Sequence, residues 1–115
     1  MTKRNRTAGN QYERDIVKEL KELGYTKAVT SRNESRTADA NKIDIVGLDG
    51  HFAPQCKNLS KNVNYHKLMK EINTDMPKAI FHKRTEKSTG GKFMTKGEYV
   101  ILEKDFFYKL LETYK

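Results

Sequence analysis

The amino-acid sequence predicts one α/β domain in which a central mixed β-sheet is flanked by helices. The chain has 115 residues, a length that suits a single hydrophobic core. Apolar residues recur with helical and strand periods in the order helix, three strands, helix, two strands, helix, which is typical of an α/β domain. Six Tyr and five Phe supply large core side chains, although only 36% of the residues are hydrophobic.

The N-terminal part is predicted to contain a basic arm and then a helix. Residues 1–7 include three basic side chains, no acidic one and no regular apolar period, so we expect a flexible arm there. Residues 8–115 would form the domain itself. Apolar residues at helical spacing from 8 to 23, followed by Gly24, predict the first helix.

Three short strands are predicted next, at 27–31, 42–46 and 51–57. The polar run at 32–41 cannot form a strand with one buried face, and we expect a loop. Asp49-Gly50 is typical of a hairpin turn between the second and third strands. Pro54 cannot donate a ladder hydrogen bond, which predicts an edge strand or a bulge.

The second half of the chain is predicted to hold two helices and two strands. In chain order these elements are a helix at 64–73 that Pro77 ends, a strand at 79–81, a flexible basic hairpin loop at 84–97, a strand at 98–102 and a final helix at 106–114 capped by Asp105.

The charge balance points to an anionic partner. Lys and Arg total 23 and Asp and Glu total 15, a formal net charge of +8 that suits nucleic acid or an acidic membrane surface. The single cysteine, Cys56, excludes an intramolecular disulfide and a cysteine-based zinc site. The chain starts without an apolar signal region and has no apolar run near the roughly 20 residues of a membrane span. We therefore expect a cytoplasmic protein with no membrane partner.

Asp44 and the triplet at 55–57 are the positions that point to chemistry. They lie on neighbouring strands of the predicted hairpin, and strand alternation places Gln55 and Lys57 on one face and Cys56, a core residue, on the other. Glu13 shares a helical face with apolar residues and is expected to face the sheet. Two carboxylates, an amide oxygen and an ammonium group would then converge.

Such a set of oxygen ligands favours a divalent cation. Two carboxylates in a partly desolvated cleft repel each other, and a hard cation removes that repulsion. Mg²⁺ or Mn²⁺ fits Asp44, Gln55 and Glu13, and phosphodiester hydrolysis needs such a cation. Lys57 would orient the attacking water and offset charge on phosphorus. The alternative is a solvated polar strand face, with Glu13 on the helix surface.

The spacing of these residues resembles that of a known family. Asp44, ten intervening residues and Gln55-x-Lys57 look like the signature of the PD-(D/E)xK nucleases, with Gln55 at the second acidic position and Ile43 at the loosely kept Pro position. The segment Gly9-Asn-Gln-Tyr-Glu13-Arg14 resembles the start of the archaeal-type Holliday junction resolvase branch. Phage members of the superfamily look similar in the Ser31–Arg36 stretch and in having Gln-x-Lys.

The resemblance implies a restriction-endonuclease-like fold and a metal-dependent DNA endonuclease. Asp44 and Gln55 would hold Mg²⁺ with Glu13 nearby, and Lys57 would be catalytic. Because Gln55 lacks a negative charge, the site should hold its metal more weakly than an acidic pair does. The substrate would be branched DNA such as a four-way junction, and two symmetric cuts favour a homodimer. A phage-infected bacterial cell is the setting that the resemblance suggests.

Several polar and basic side chains are expected to contact DNA. The Ser31–Arg36 loop precedes Asp44, and its arginines would bind phosphates, although an ordinary mobile polar loop is the alternative. The basic residues outside this loop are also expected to contact phosphates. The alternative is that they only form a solvated surface. The predicted DNA contacts are Lys3, Arg4, Arg6, Ser31, Arg32, Ser35, Arg36, Lys61, Lys83 and Arg84.

Two other functions remain open at the level of sequence. One is a DNA-binding module on the same fold, in which Gln55 marks a site that has lost catalysis. The other is a nuclease for ordinary duplex or damaged DNA, because a charge of +8 attracts all nucleic acid alike.

Overall fold

The computed structural model describes residues 3–114, with side chains from Arg6 onward. Its elements in chain order are α1 (Lys3–Glu22), β1 (Val29–Thr30), α2 (Ser31–Glu34), α3 (Arg36–Ala40), β2 (Ile45–Val46), β3 (Ala53–Asn58), α4 (Tyr65–Glu71), β4 (Lys78–Lys87), β5 (Phe93–Leu102) and α5 (Lys104–Glu112). The predicted α/β class is confirmed, and the order of elements gains two short helices, α2 and α3.

The strands form a mixed three-stranded sheet, in agreement with the predicted mixed sheet, and a separate two-stranded sheet that the sequence does not predict. β1 and β2 pair antiparallel, whereas β3, β4 and β5 form a mixed sheet in which β3–β4 is parallel and β4–β5 antiparallel. The Asp44 N–H donates to the Pro54 carbonyl oxygen at 2.9 Å. Proline has no N–H to return the bond, and the Ser31 N–H donates to the Asp44 carbonyl oxygen instead. The predicted hairpin ladder between 42–46 and 51–57 therefore does not form.

Helix α1 begins earlier than the sequence predicts. It already includes Lys3, so most of the segment 1–7 that was expected to be an arm belongs to the helix, and Met1 and Thr2 lie outside the described residues. The segment contains no residue that breaks a helix, and lack of an apolar stripe does not prevent a helix from extending into solvent. Gly24, with a φ of 111°, follows the helix end.

The polar segment predicted as a loop at 32–41 is helical. α2 and α3 are each about one turn long, and the Ser35 hydroxyl caps α3 by accepting a hydrogen bond from the Ala38 N–H at 3.1 Å. Helices this short need no buried apolar stripe, because caps and neighbouring turns satisfy their polar groups.

The segment 84–97, predicted as a flexible loop, is largely strand. β4 and β5 form a long hairpin in which only residues 88–92 connect the strands. β5 is exposed along most of its length and therefore lacks the alternating apolar pattern of a half-buried strand. The predicted Asp105 cap is also wrong: Glu103 occupies the N-cap position of α5 without a side-chain cap bond, and Asp105 lies in the first turn.

Apolar side chains pack on both faces of the three-stranded sheet. On one face Cys56 and Phe81 contact α1, whose buried residues include Tyr12 and Ile16. On the other face the core cluster contains Ile43, Ala53, Ile72 and Ile80, with α4 packed against it. β3 is an edge strand, as Pro54 predicts. Within the described residues, no helix combines the length and apolar character needed to cross a membrane.

Candidate functional site

Glu13, Asp44, Gln55 and Lys57 line one cleft of about 320 Å³. Glu13 comes from α1, Asp44 directly precedes β2, and Gln55 and Lys57 lie two residues apart on β3. These are the four residues that the sequence predicts to converge. Their convergence does not need the predicted hairpin, because the single backbone bond from Asp44 to Pro54 is enough to bring Asp44 alongside β3.

Asp44 is held by three hydrogen bonds. Its N–H donates to Pro54, its carbonyl oxygen accepts from the Ser31 N–H at 2.9 Å, and its Oδ2 accepts from the Cys56 N–H at 2.7 Å. The pKa of Asp44 is raised from 3.8 to about 7, chiefly by burial and also by the charge of Glu13, whereas the Cys56 N–H and Lys57 act in the opposite direction. The carboxyl group is thus fixed in place and poised to bind a proton or a cation near neutral pH.

Gln55 carries an unsatisfied acceptor. The residue is 4% exposed, and its Oε1 has no hydrogen-bond partner among the described residues. A buried polar atom without a partner costs about 1–3 kcal/mol, so such atoms are uncommon unless they have a function. Gln55 lines the cleft that also contains Asp44, so this unsatisfied oxygen belongs to a residue of the cleft wall.

Glu13 forms an ion pair with Arg32, which the sequence predicts to contact DNA. The Arg32 Nε donates to Glu13 Oε2 at 2.9 Å, and the two side chains are 32% and 11% exposed, respectively. Burial raises the pKa of Glu13 above its usual range, while the hydrogen bond and charge of Arg32 oppose that rise. Arg32 therefore helps Glu13 to remain ionised inside the protein.

Lys57 provides positive charge in the same cleft. It is half-buried at the end of β3, and its charge lowers the pKa of Asp44. The Lys57 ammonium group has three hydrogen-bond donors, so it can donate to an anionic ligand in the cleft.

Other residues of the cleft wall were not identified from the sequence. Asn10 lies on α1 three residues before Glu13 and four after Arg6, so helical spacing from Glu13 could have found it. Asp39 comes from the segment predicted as a loop, where no period locates a side chain, and Lys42 is the first residue of the strand predicted at 42–46. Arg6, predicted as a DNA contact on an arm, lines the cleft from the helix.

The remaining predicted DNA contacts are spread over the surface and the interior. Ser31 is fully buried, and its Oγ has no partner among the described residues, whereas the Ser35 hydroxyl is engaged as a cap. Arg36 is exposed on α3, and the side chains of Lys3 and Arg4 lie outside the described residues.

Three predicted basic contacts lie on β4 or beside it. Lys83 places its Nζ 5.9 Å from the centroid of the Tyr12 ring, a cation–π contact. The Arg84 Nη1 donates to Asn62 Oδ1 at 2.6 Å. Lys61 lines a second cleft, which adjoins the first.

The cleft offers oxygen ligands from carboxylate and amide side chains. Among the described residues, no group of three or more His, Cys, Asp or Glu side chains is placed to hold a metal ion. The oxygens of Asp44 and Gln55, with Glu13 in the same cleft, fit a hard cation that completes its coordination with water. The unpartnered Gln55 oxygen supports this fit, because a cation would satisfy it.

Comparison with known proteins does not assign this chain to a family. Neither the protein-family models, nor the curated proteins, nor the solved structures contain a match to this chain.

Proposed function

We propose that this protein is a Mg²⁺- or Mn²⁺-dependent DNA endonuclease of the PD-(D/E)xK type, with a restriction-endonuclease-like fold. The observation that carries the proposal is the unpartnered oxygen of buried Gln55 in a cleft that also contains Asp44 and Lys57. Buried acceptors without a partner are uncommon on a strand face that is merely polar.

Each side chain of the cleft has a role in this proposal. Asp44 and Gln55 would hold the cation, and Glu13 would complete the site directly or through water. When bound, the cation supplies Lewis-acid activation of the phosphate and of water. Lys57 donates hydrogen bonds that orient the nucleophile and offset charge developing on the phosphate oxygens. Asp44 stays in position because its Oδ2 accepts from the Cys56 N–H.

DNA as the substrate is supported by charge. The net charge of +8 attracts polyanions, and Arg6 lies on the wall of the cleft itself, where it can contact a phosphate beside the reacting one. We propose branched DNA, such as a four-way junction, as the preferred substrate and a homodimer as the active form. We propose that the protein acts in the cytoplasm.

A DNA-binding module without catalysis is the second candidate. It is favoured by the amide at position 55, which leaves Asp44 and Glu13 as the only carboxylates of the proposed ligand set, and by the pKa of Asp44 near 7, which reduces its charge at neutral pH. Both features weaken cation binding without affecting contacts to phosphates.

The test is a cleavage assay on four DNAs: junction, duplex, flap and single strand, each with Mg²⁺, Mn²⁺ or EDTA. We expect cleavage that needs the metal and is fastest on the junction. Lys57→Ala should lose cleavage yet keep most DNA affinity, whereas Lys67→Ala, an exposed lysine on α4, should match the wild type. If the folded protein binds DNA but cuts none of the four with either metal, the DNA-binding module is the correct function.

A further inference from the structure

A second cleft of about 430 Å³ adjoins the candidate site. The two clefts share Asn58 and Leu59, so a ligand in one is in contact with the wall of the other. The second cleft runs from the end of β3 to the β4–β5 hairpin, where Phe93 contributes an aromatic ring. It is larger than the candidate site, and no role assigned so far uses it.

The walls of the second cleft combine an aromatic ring with hydrogen-bond donors. Phe93 is 47% exposed. Asn58 Oδ1 accepts from the Thr85 hydroxyl at 2.8 Å, and Asn62 Oδ1 accepts from Arg84 at 2.6 Å. With each amide oxygen engaged, the two NH₂ groups are the parts of these side chains that can donate to a ligand.

We propose that the second cleft binds one unpaired nucleobase of the DNA, next to the phosphate held in the candidate site. The proposal rests on the proposed DNA-cleaving function and specifies its substrate as DNA that contains an unpaired nucleotide. The cleft is within the usual size range of small-molecule sites and suits a single base. Every base has a flat face that can stack on Phe93 and ring or carbonyl acceptors for the two amide donors.

A base inside a duplex cannot use this cleft without leaving its stack. Both faces of a paired base are covered by its neighbours, and extruding it costs a few kcal/mol, least for a base that is already unpaired. The cleft therefore selects flapped or bulged DNA, and a branched DNA that carries an unpaired nucleotide, over a continuous duplex. Because stacking is tolerant of base identity, the selection depends on DNA structure more than on sequence.

The test measures binding without cleavage, in Ca²⁺ or EDTA, by fluorescence anisotropy. Three DNAs are compared: a duplex with a one-nucleotide bulge, the same bulge with an abasic nucleotide, and the fully paired duplex. We expect the wild type to bind the base-bearing bulge about tenfold more tightly than the abasic one, since one base–aromatic stack supplies a factor of that order. Phe93→Ala should remove this difference.

Tyr99→Ala is the matched control, because Tyr99 is an exposed aromatic residue on the same strand that does not line either cleft. It should keep the preference for the base. Equal affinity of the wild type for the two bulges overturns the proposal, and this result does not depend on how well any variant folds. Loss of the preference in Tyr99→Ala but not in Phe93→Ala would also overturn it.

The two proposals fail in distinguishable ways. A protein that prefers the base-bearing bulge but never cleaves DNA with Mg²⁺ or Mn²⁺ contradicts the nuclease proposal alone. A protein that cleaves DNA but binds the two bulges equally contradicts the nucleobase site alone.

Discussion

Replacing Asp44 with asparagine should stabilise the metal-free protein while abolishing cleavage. The Asp44 carboxyl has a pKa of about 7 in the folded protein, whereas a solvent-exposed Asp carboxyl has a pKa of 3.8. Burial is the chief cause of this difference. Above pH 7 the folded protein must therefore hold a buried negative charge that the unfolded chain exposes to water. The Asp44→Asn variant removes that charge and keeps a side-chain oxygen to accept from the Cys56 N–H.

The size of the effect follows from proton linkage. At 1.36 kcal/mol per pKa unit, the difference between 3.8 and about 7 corresponds to an upper limit of about 4 kcal/mol at pH 8. We expect about 1–3 kcal/mol, because local relaxation and water reduce the cost of a buried charge. Between pH 3.8 and 7 the folded state binds more protons than the unfolded state, so the stability of the wild type falls as pH rises through this window. The advantage of the variant therefore grows from pH 4 to pH 7 and is constant above.

Thermal unfolding in EDTA at pH 8 and pH 4.5 measures the effect. For a chain of this size, about 1–3 kcal/mol raises the Tm by roughly 4–12 °C at pH 8, with little change at pH 4.5. Asp39→Asn is the control, because Asp39 is an exposed carboxylate on the wall of the same cleft. An Asp44→Asn protein that is no more stable than the wild type at pH 8, or that gains equally at both pH values, would refute the burial argument.

Three further predictions concern the site and its scaffold. Gln55→Ala should weaken Mg²⁺ binding and Gln55→Glu should tighten it in titration calorimetry, because the buried amide oxygen is a proposed ligand; an unchanged affinity in both would place the metal elsewhere. Arg32→Ala should lower stability to urea by about 1–2 kcal/mol, since it leaves buried Glu13 without its cation, and adding Glu13→Gln should restore part of the loss. Gly47→Ala should destabilise by about 3 kcal/mol or more in the same assay, because a Cβ there would collide with the carbonyl of Lys27, whereas Gly50→Ala, also at positive φ but in open space, should cost about 1 kcal/mol.

Local patterns predict much of the candidate site. Strand alternation alone places Gln55 and Lys57 on one face, and helical spacing turns Glu13 toward the sheet; all three line the cleft. These inferences hold because they depend only on the repeat of the element that carries the side chain. The α/β class follows from the same periodicities.

The pairing of Asp44 could not be predicted in this way. Its carbonyl oxygen accepts from Ser31, which is distant in sequence, and the missing N–H of Pro54 prevents a hairpin ladder that the turn signal at 49–50 favours. The Arg32–Glu13 ion pair is likewise a contact between α1 and α2 that no spacing indicates. The distal parts of β4 and β5 could not be predicted for a different reason. An exposed hairpin has no apolar period that would indicate its strands.

Asp44 joins the two sheets, and this position links the fold to the proposed chemistry. Its carbonyl oxygen receives a hydrogen bond from Ser31, where β1 meets α2, and its N–H donates to Pro54 on β3. Its carboxylate accepts from the N–H of Cys56, two residues further along β3. The two-stranded and three-stranded sheets thus meet at a carboxyl group whose charge is costly to bury, and a cation bound between Asp44 and Gln55 would lower that cost. Metal binding should therefore stabilise the junction between the sheets as well as the site, and metal-dependent protection from amide hydrogen exchange at Asp44 and Cys56 would show this coupling directly.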